Sequence, residues 1–503
     1  MPAEEQTLIG SGVSGLDEVL GGGLPSQYVY LVQGDPGAGK TTLALQFLLE
    51  GARNGERCVY LTLSESEREL RSVAVSHGWD LTGITIFEQL VSERILRGER
   101  ESTMFHPSEV ELGRTVAALL DKVEELSPSR VIVDSLAEIR LLSENSLRYR
   151  KQILALKQFF ANRAVTALMI DDRTASEHDV QLHSVPHGVI VLEQHAPMYG
   201  AARRRLQVVK LRGVDYRGGF HDFAIKRGGL VVFPRLVAGR HLLSNDPEPA
   251  NNDASMSSGV AEIDQLLGGG LDRGSSSLIM GPAGVGKSSL ATQYAVTAAK
   301  KGHRVAMFAF DETRKSLFAR SESLGMHLTS LLATGHLTVQ QIDPAELAPG
   351  EFANLIRRSV EDDGTSMIVI DSLNGYLNAM PAESYLTLHL HELLGYLAER
   401  GVATILVLAQ HGLIGPGMTS AADVSYLADC VILLRYFEAE GEIMKAISVL
   451  KKRSGTHEKA IRNFELSPRG ICVGEPLKHF RGILSGIPTL DRNDRDAGES
   501  ERR

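Results

Sequence analysis

The run Gly34-Asp-Pro-Gly37-Ala-Gly39-Lys40-Thr41 fits the spacing G-x-x-x-x-G-K-[ST], and the chain writes it again as Gly281-Pro-Ala-Gly284-Val-Gly286-Lys287-Ser288. In such a loop the glycines let successive backbone N–H groups point inward at phosphate oxygens. The lysine reaches the β and γ oxygens, and the hydroxyl after it ligates Mg²⁺. An apolar strand leads into each loop, Tyr28 to Val32 in one copy and Ser277 to Met280 in the other, and a helix leaves near Thr41 or Ser288. Each helix N-terminus adds its dipole to the anion site. The sequence therefore predicts two phosphate cradles, with Gly34, Gly37, Gly39, Lys40, Thr41 and Thr42 lining the first and Gly281, Gly284, Gly286, Lys287, Ser288 and Ser289 the second.

The repetition extends beyond the loops. Ser11-Gly-Val-Ser-Gly-Leu-Asp17 followed by Gly21-Gly-Gly-Leu-Pro25 returns as Ser258-Gly-Val-Ala-Glu-Ile-Asp264 followed by Gly268-Gly-Gly-Leu271. Each phrase reads as a short capped helix ending in a glycine turn. The two phrases are 247 residues apart (258 less 11), as are the two loop lysines (287 less 40). A shared register of this kind means tandem duplication.

Strands predicted over Val59 to Leu63 and Val305 to Phe310 end at Ser64-Glu65 and Asp311-Glu312, again 247 residues apart (312 less 65). Carboxylates at a strand's C-terminal edge beside a phosphate loop can orient an attacking water or hydroxyl; they also suit the first turn of a helix. Two further buried runs, Arg130-Val-Ile-Val-Asp134 and Met367-Ile-Val-Ile-Asp371, end in the aspartate that would hold Mg²⁺ opposite Thr41 and Ser288. Strands over Val165 to Ile170 and Ala403 to Leu408 alternate with amphipathic helices. This predicts α/β domains with mostly parallel sheets covered on both faces. Each repeat closes on strands, Arg205 to Leu211 and Ala446 to Leu450, whose ends carry Lys210-Leu-Arg212 and Lys451-Lys-Arg453.

Composition narrows the setting. A hydrophobic share of 43% across 503 residues predicts globular domains with proper cores. Three cysteines, Cys58, Cys430 and Cys472, form no CxxC pair, which fits a reducing cytoplasm. The opening Met-Pro-Ala-Glu-Glu lacks a signal peptide's charged and apolar regions, and no apolar run reaches membrane-spanning length. A net charge of −9 disfavours non-specific nucleic-acid binding, which draws on Lys and Arg. The predicted organisation is an N-terminal domain over 1–245, a linker at 246–257 rich in Pro, Asn and Asp, a C-terminal domain over 258–475, and a loop and polar tail over 476–503. His389-Leu-His391-Glu392 lacks the i, i+4 histidine pair of a helical zinc site and reads as helix surface.

With these motifs placed, the chain resembles the KaiC-like circadian clock ATPase and autokinase family over roughly Leu8 to Pro488. The resemblance implies two RecA-like P-loop domains in a two-tier homohexamer, with ATP and Mg²⁺ between neighbouring subunits. It implies a hydrolysing first tier, a second tier that also phosphorylates its neighbour, and a KaiB-like regulatory protein or other signalling partner. Lys210 and Arg212, and Lys451 and Arg453, match the basic pairs that reach across the subunit interface. The family's paired catalytic glutamates fall on Ser64-Glu65 and Asp311-Glu312. Asp311 keeps a carboxylate; Ser64 does not, which leaves Glu65 to serve the first tier. The family's adjacent Ser-Thr phospho-acceptors fall on Ser425-Tyr426, so the resemblance implies phosphorylation at Ser425, with a bulkier phenol at the second position. Only 15 residues follow Pro488 (503 less 488), short for the peptide by which clock members recruit an activator. Two other readings fit the same loops: a RecA-type DNA repair or recombination motor, and a nucleotide-gated scaffold with little turnover.

Overall fold

The computed structural model describes residues 7–89, 107–143, 145–173, 182–197, 200–237, 255–378, 385–410, 425–439, 441–484 and 489–490. The chain divides into two compact units, Met1–Arg235 and Leu236–Arg503.

In the first unit nine strands form one sheet: β1 Val29–Gly34, β2 Cys58–Thr62, β3 Ile84–Glu88, β4 Arg130–Asp134, β5 Thr166–Asp172, β6 Gly188–His195, β7 Arg203–Leu211, β8 Phe220–Lys226 and β9 Gly229–Phe233. Their order is β9-β8-β7-β6-β1-β5-β4-β2-β3. The strands from β6 to β3 run parallel, and β7, β8 and β9 add antiparallel hairpins at one edge.

The second unit repeats this order with β10 Ser276–Gly281, β11 Val305–Ala309, β12 Leu337–Gln341, β13 Met367–Asp371, β14 Ala403–Ala409, β15 Cys430–Ala439, β16 Glu442–Lys452, β17 Arg462–Ser467 and β18 Gly470–Pro476. The order β12-β11-β13-β14-β10-β15-β16-β17-β18 is that of the first sheet, strand for strand. Both units are α/β domains consistent with the RecA-like P-loop fold.

Strand periodicity builds two cores per domain, because successive side chains leave opposite faces. Tyr30, Val32, Tyr60 and Ile132 enter one core of the first sheet, while Leu31, Val59, Leu61, Val131 and Val133 enter the other. In the second sheet Ile279, Met307 and Val369 face one core, and Leu278, Phe308 and Ile368 the other. Burying strands on both faces explains why they read as continuous apolar runs.

Three expectations are revised. The Ser-Gly phrases lead into helices Leu16–Val19 and Ala261–Leu266, yet neither helix has a side-chain N-cap. The acid that ends both phrases works backwards instead: Asp17 Oδ1 accepts the Ser11 N–H at 2.9 Å, and Asp264 Oδ1 accepts the Ser258 N–H at 2.7 Å. Ser255–Met256, within the stretch read as linker, pairs antiparallel with Leu271–Asp272; residues 246–254 lie outside the described ones. The segment read as loop and tail also carries structure, since Phe480–Arg481 pairs with Thr489–Leu490 and Ile483 is buried against Phe437 and Ala446. The polar end at 491–503 lies outside the described residues.

Candidate phosphate-binding sites

Both phosphate loops sit at the C-terminal edge of their parallel strands, where β1 and β10 end at Gly34 and Gly281. The helices that leave them are α1 Lys40–Arg53 and α2 Lys287–Lys300, each preceded by a left-handed glycine. Gly39 has φ +100, and a Cβ there would stand 2.7 Å from Ile225 Cδ1; Gly286 has φ +119, and a Cβ there would stand 2.9 Å from Phe464 Cε1. A side chain at either position would meet both backbone strain and a packed neighbour. Thr42 and Ser289 are buried in the first turns of the helices.

In the first domain Lys40 Nζ donates to the carbonyls of Gly34 at 2.9 Å and Asp35 at 3.0 Å, and forms an ion pair with Asp172 Oδ1 at 2.8 Å. Asp134 ends β4 almost fully buried, and burial raises its carboxyl pKa to about 7. The Tyr60 phenol donates to its Oδ2. Glu65 Oε1 accepts from the Thr41 hydroxyl at 3.4 Å, Oε2 is buried with no partner, and burial raises this carboxyl as well. A buried carboxylate and a half-buried one with an orphaned oxygen, beside a hydroxyl, make an oxygen donor set suited to Mg²⁺. The residues present thus fit the metal.

The second domain arranges its counterparts differently. Lys287 Nζ is buried and donates to the Pro282 carbonyl at 2.7 Å; burial lowers its pKa, against which Asp371 acts. Asp371 is raised by burial, with a hydrogen bond from Ser288 opposing. Asp311 is exposed and accepts from the Ser372 hydroxyl. Glu312 is gripped by Arg320 through Nη2 at 2.8 Å and Nε at 3.3 Å, and Arg320 Nη1 also reaches Ser289 Oγ at 3.3 Å. Glu65 and Glu312 are therefore matched in sequence but not in surroundings.

The basic pairs lie at the other end of each sheet. Lys210 is opposite Val189, and the Arg212 N–H donates to the His187 carbonyl, at the end where β1 begins. A six-residue strand at about 3.3 Å per residue puts roughly 20 Å between this end and the phosphate loop. Lys210 Nζ donates to the His183 carbonyl at 2.6 Å and Arg212 to the Ser184 carbonyl at 3.2 Å. Burial, with Arg212 and Lys157 nearby, lowers Lys210 to about 8. In the second domain Lys451 Nζ donates to the carbonyls of Ser425 at 3.2 Å and Ala428 at 2.7 Å. Arg453 donates to the Tyr426 carbonyl at 2.8 Å and pairs with Asp429 at 3.1 Å. Ser425 is thus gathered with the basic pair of its own chain, away from its own phosphate loop, and the same contacts make His183 its structural counterpart in the first domain.

Sequence reading missed Tyr60, Asp172 and Arg320. A tyrosine inside an apolar strand signals a polar partner, since a buried phenol seeks a hydrogen bond; which partner depends on strand order. His389, read as surface, is half-buried and shares a 2.7 Å hydrogen bond with the Tyr376 hydroxyl. Among the described residues no cluster of His, Cys, Asp and Glu suits a metal by itself, and no helix is long and apolar enough to cross a membrane.

A family described as "ATPase: KaiC" matches residues 9–237 and 256–478. The chain is 27% identical over 487 residues to the circadian clock protein KaiC3 of Synechocystis sp., spanning 95% of this chain and 94% of that protein. It is likewise 27% identical over 485 residues to the circadian clock oscillator protein KaiC of Synechococcus elongatus, spanning 95% and 91%.

Proposed function

Since the chain belongs to the KaiC family of ATPases, we propose that it assembles into a homohexameric ring, hydrolyses ATP in its first tier, and in its second tier transfers phosphate to Ser425 of the adjacent subunit. The role fitting this activity, and the names of its relatives, is timing or signalling, with a KaiB-like regulatory protein as the partner class.

The observation that carries the reading is the opposite placement of donor and acceptor. The phosphate loop lies at one end of the second sheet, while Ser425, Lys451 and Arg453 cluster at the other. Within one chain these ends cannot meet. A head-to-tail neighbour brings them together, and such heterologous contacts close into rings. The same argument applies to Lys210 and Arg212 in the first domain.

In each site the loop N–H groups and Lys40 or Lys287 would bind the phosphates, with Thr41 and Asp134, or Ser288 and Asp371, holding Mg²⁺. The metal supplies charge neutralisation on the β and γ oxygens. In the first tier Glu65 is the carboxylate placed to orient the attacking water. In the second, Asp311 takes the proton of the neighbour's Ser425 hydroxyl as the serine oxygen bonds to the γ-phosphorus and ADP leaves. Lys451 and Arg453 of the receiving subunit stabilise the transferred phosphoryl.

Peptide mass spectrometry after incubation with ATP and Mg²⁺ tests the acceptor. Wild type should carry phosphate on Ser425, and Ser425→Ala and Asp311→Asn should lose it. Labelling confined to Tyr426, or undiminished in Asp311→Asn, shows the assignment wrong.

A further inference from the structure

The two domains repeat each other closely enough that a difference at the metal corner is informative. Tyr60 on β2 and Met307 on β11 occupy the same register, each paired two residues before the strand-end aspartate: Tyr60 with Ile132, Met307 with Val369. Both side chains are buried, at 0% and 1% exposure. The Tyr60 phenol donates to Asp134 Oδ2. A methionine thioether has no such hydrogen to donate, so Met307 cannot make the equivalent bond to Asp371.

We propose that Tyr60 is a positioning residue for the first domain's divalent cation, fixing the Asp134 carboxylate in the orientation that coordinates Mg²⁺. The inference rests on the reading of Thr41 and Asp134 as the metal-holding pair. A carboxylate has about four acceptor sites. The phenol uses one on Oδ2 and prevents the carboxylate from turning, while the remaining acceptor sites could serve the cation. Because Tyr60 is packed in the core with Val32, Ile132 and Phe47, its own hydroxyl is held in place. Partners of this kind, one bond removed from the metal, change metal affinity by about 10- to 100-fold when removed. The second domain lacks this support, so the two sites differ in their Mg²⁺ requirement.

The test uses the full chain carrying Lys287→Ala, so that nucleotide binding reports the first site. Binding of a fluorescent ATP analogue is titrated with Mg²⁺ and repeated in EDTA. Tyr60→Phe should raise the Mg²⁺ concentration for half-maximal binding by about 10- to 100-fold and leave binding in EDTA unchanged. Tyr60→Met, which copies the residue the second domain accommodates, should do the same and guards against a folding defect specific to one variant. An unchanged or lowered Mg²⁺ requirement overturns the inference, as does an equal loss of binding in EDTA, which would mean that the phenol supports the loop and not the metal. Asp134→Asn separates the two levels. If it leaves the Mg²⁺ requirement unchanged, the metal-holding pair itself is misread; if it raises the requirement and Tyr60→Phe does not, only the role of Tyr60 is lost.

Discussion

If Lys40 binds the phosphates as proposed, they must compete with Asp172, which holds it at 2.8 Å in the first domain. Gly34 pairs with Asp172, whereas its counterpart Gly281 pairs with Ala409, so the second domain has no carboxylate at that place. With the Asp172 side chain 48% exposed, the ion pair is worth only about 0.5–1 kcal/mol. A γ-phosphate drawn to Lys40 would also come within about 5 Å of the carboxylate; at an effective dielectric of about 40, two like charges there repel by about 1.7 kcal/mol. Together these terms oppose binding by about 2.2–2.7 kcal/mol, so Asp172→Ala should tighten ATP at the first site by about 40- to 90-fold. Calorimetric titration in a Lys287→Ala background reads this directly. Raising the ionic strength should shrink the gain, because half of the pair faces water. Unchanged or weaker affinity in Asp172→Ala would mean that Asp172 does not compete with phosphate but supports the site.

Two more predictions follow from the same domain. In the Lys287→Ala background, Glu65→Gln should abolish steady-state phosphate release while leaving nucleotide binding within about threefold, since the carboxylate orients water and Lys40 carries the binding; unaltered turnover would mean that another group positions the water. Asp134 has a folded pKa of about 7, above its unfolded value of about 3.9. The folded state therefore binds the proton more tightly, and stability falls as pH rises from about 4 to 7. In EDTA the protein should melt at a lower temperature at pH 8 than at pH 5.5. Asp134→Asn should flatten that difference; an equal fall in the variant would assign it to other groups.

The glycine loops between a strand and a helix, the aspartates ending β4 and β13, and the mostly parallel sheets were within reach of the sequence because duplication wrote each feature twice in one register. Its limits are as specific. Ser64-Glu65 and Asp311-Glu312 look alike as pairs, yet Arg320 captures Glu312, while Val73 stands at that position in the first repeat. Helix placement decides that contact, and helix placement is not written locally. Asp172 and Tyr60 reach the site only because β5 lies beside β1 and β2 beside β4. The short Ser-Gly-x-x-x-[LI]-Asp phrase reads as a capped helix because its serine suits a cap; instead the aspartate carboxylate accepts the serine's backbone N–H.

Whether donor and acceptor belong to different subunits is decided by mixing two variants. Lys287→Ala subunits keep Ser425 but lose the second-tier lysine; Ser425→Ala subunits bind ATP there but offer no serine. Each variant alone should remain unlabelled in the second domain. Mixed rings incubated with ATP and Mg²⁺ should carry phosphate on Ser425 of the Lys287→Ala subunits, seen as a mass increase on that chain alone. A mixture that exchanges subunits, as native mass spectrometry would show, and still carries no phosphate on Ser425 would rule out transfer between subunits, as would labelling of Lys287→Ala subunits before mixing.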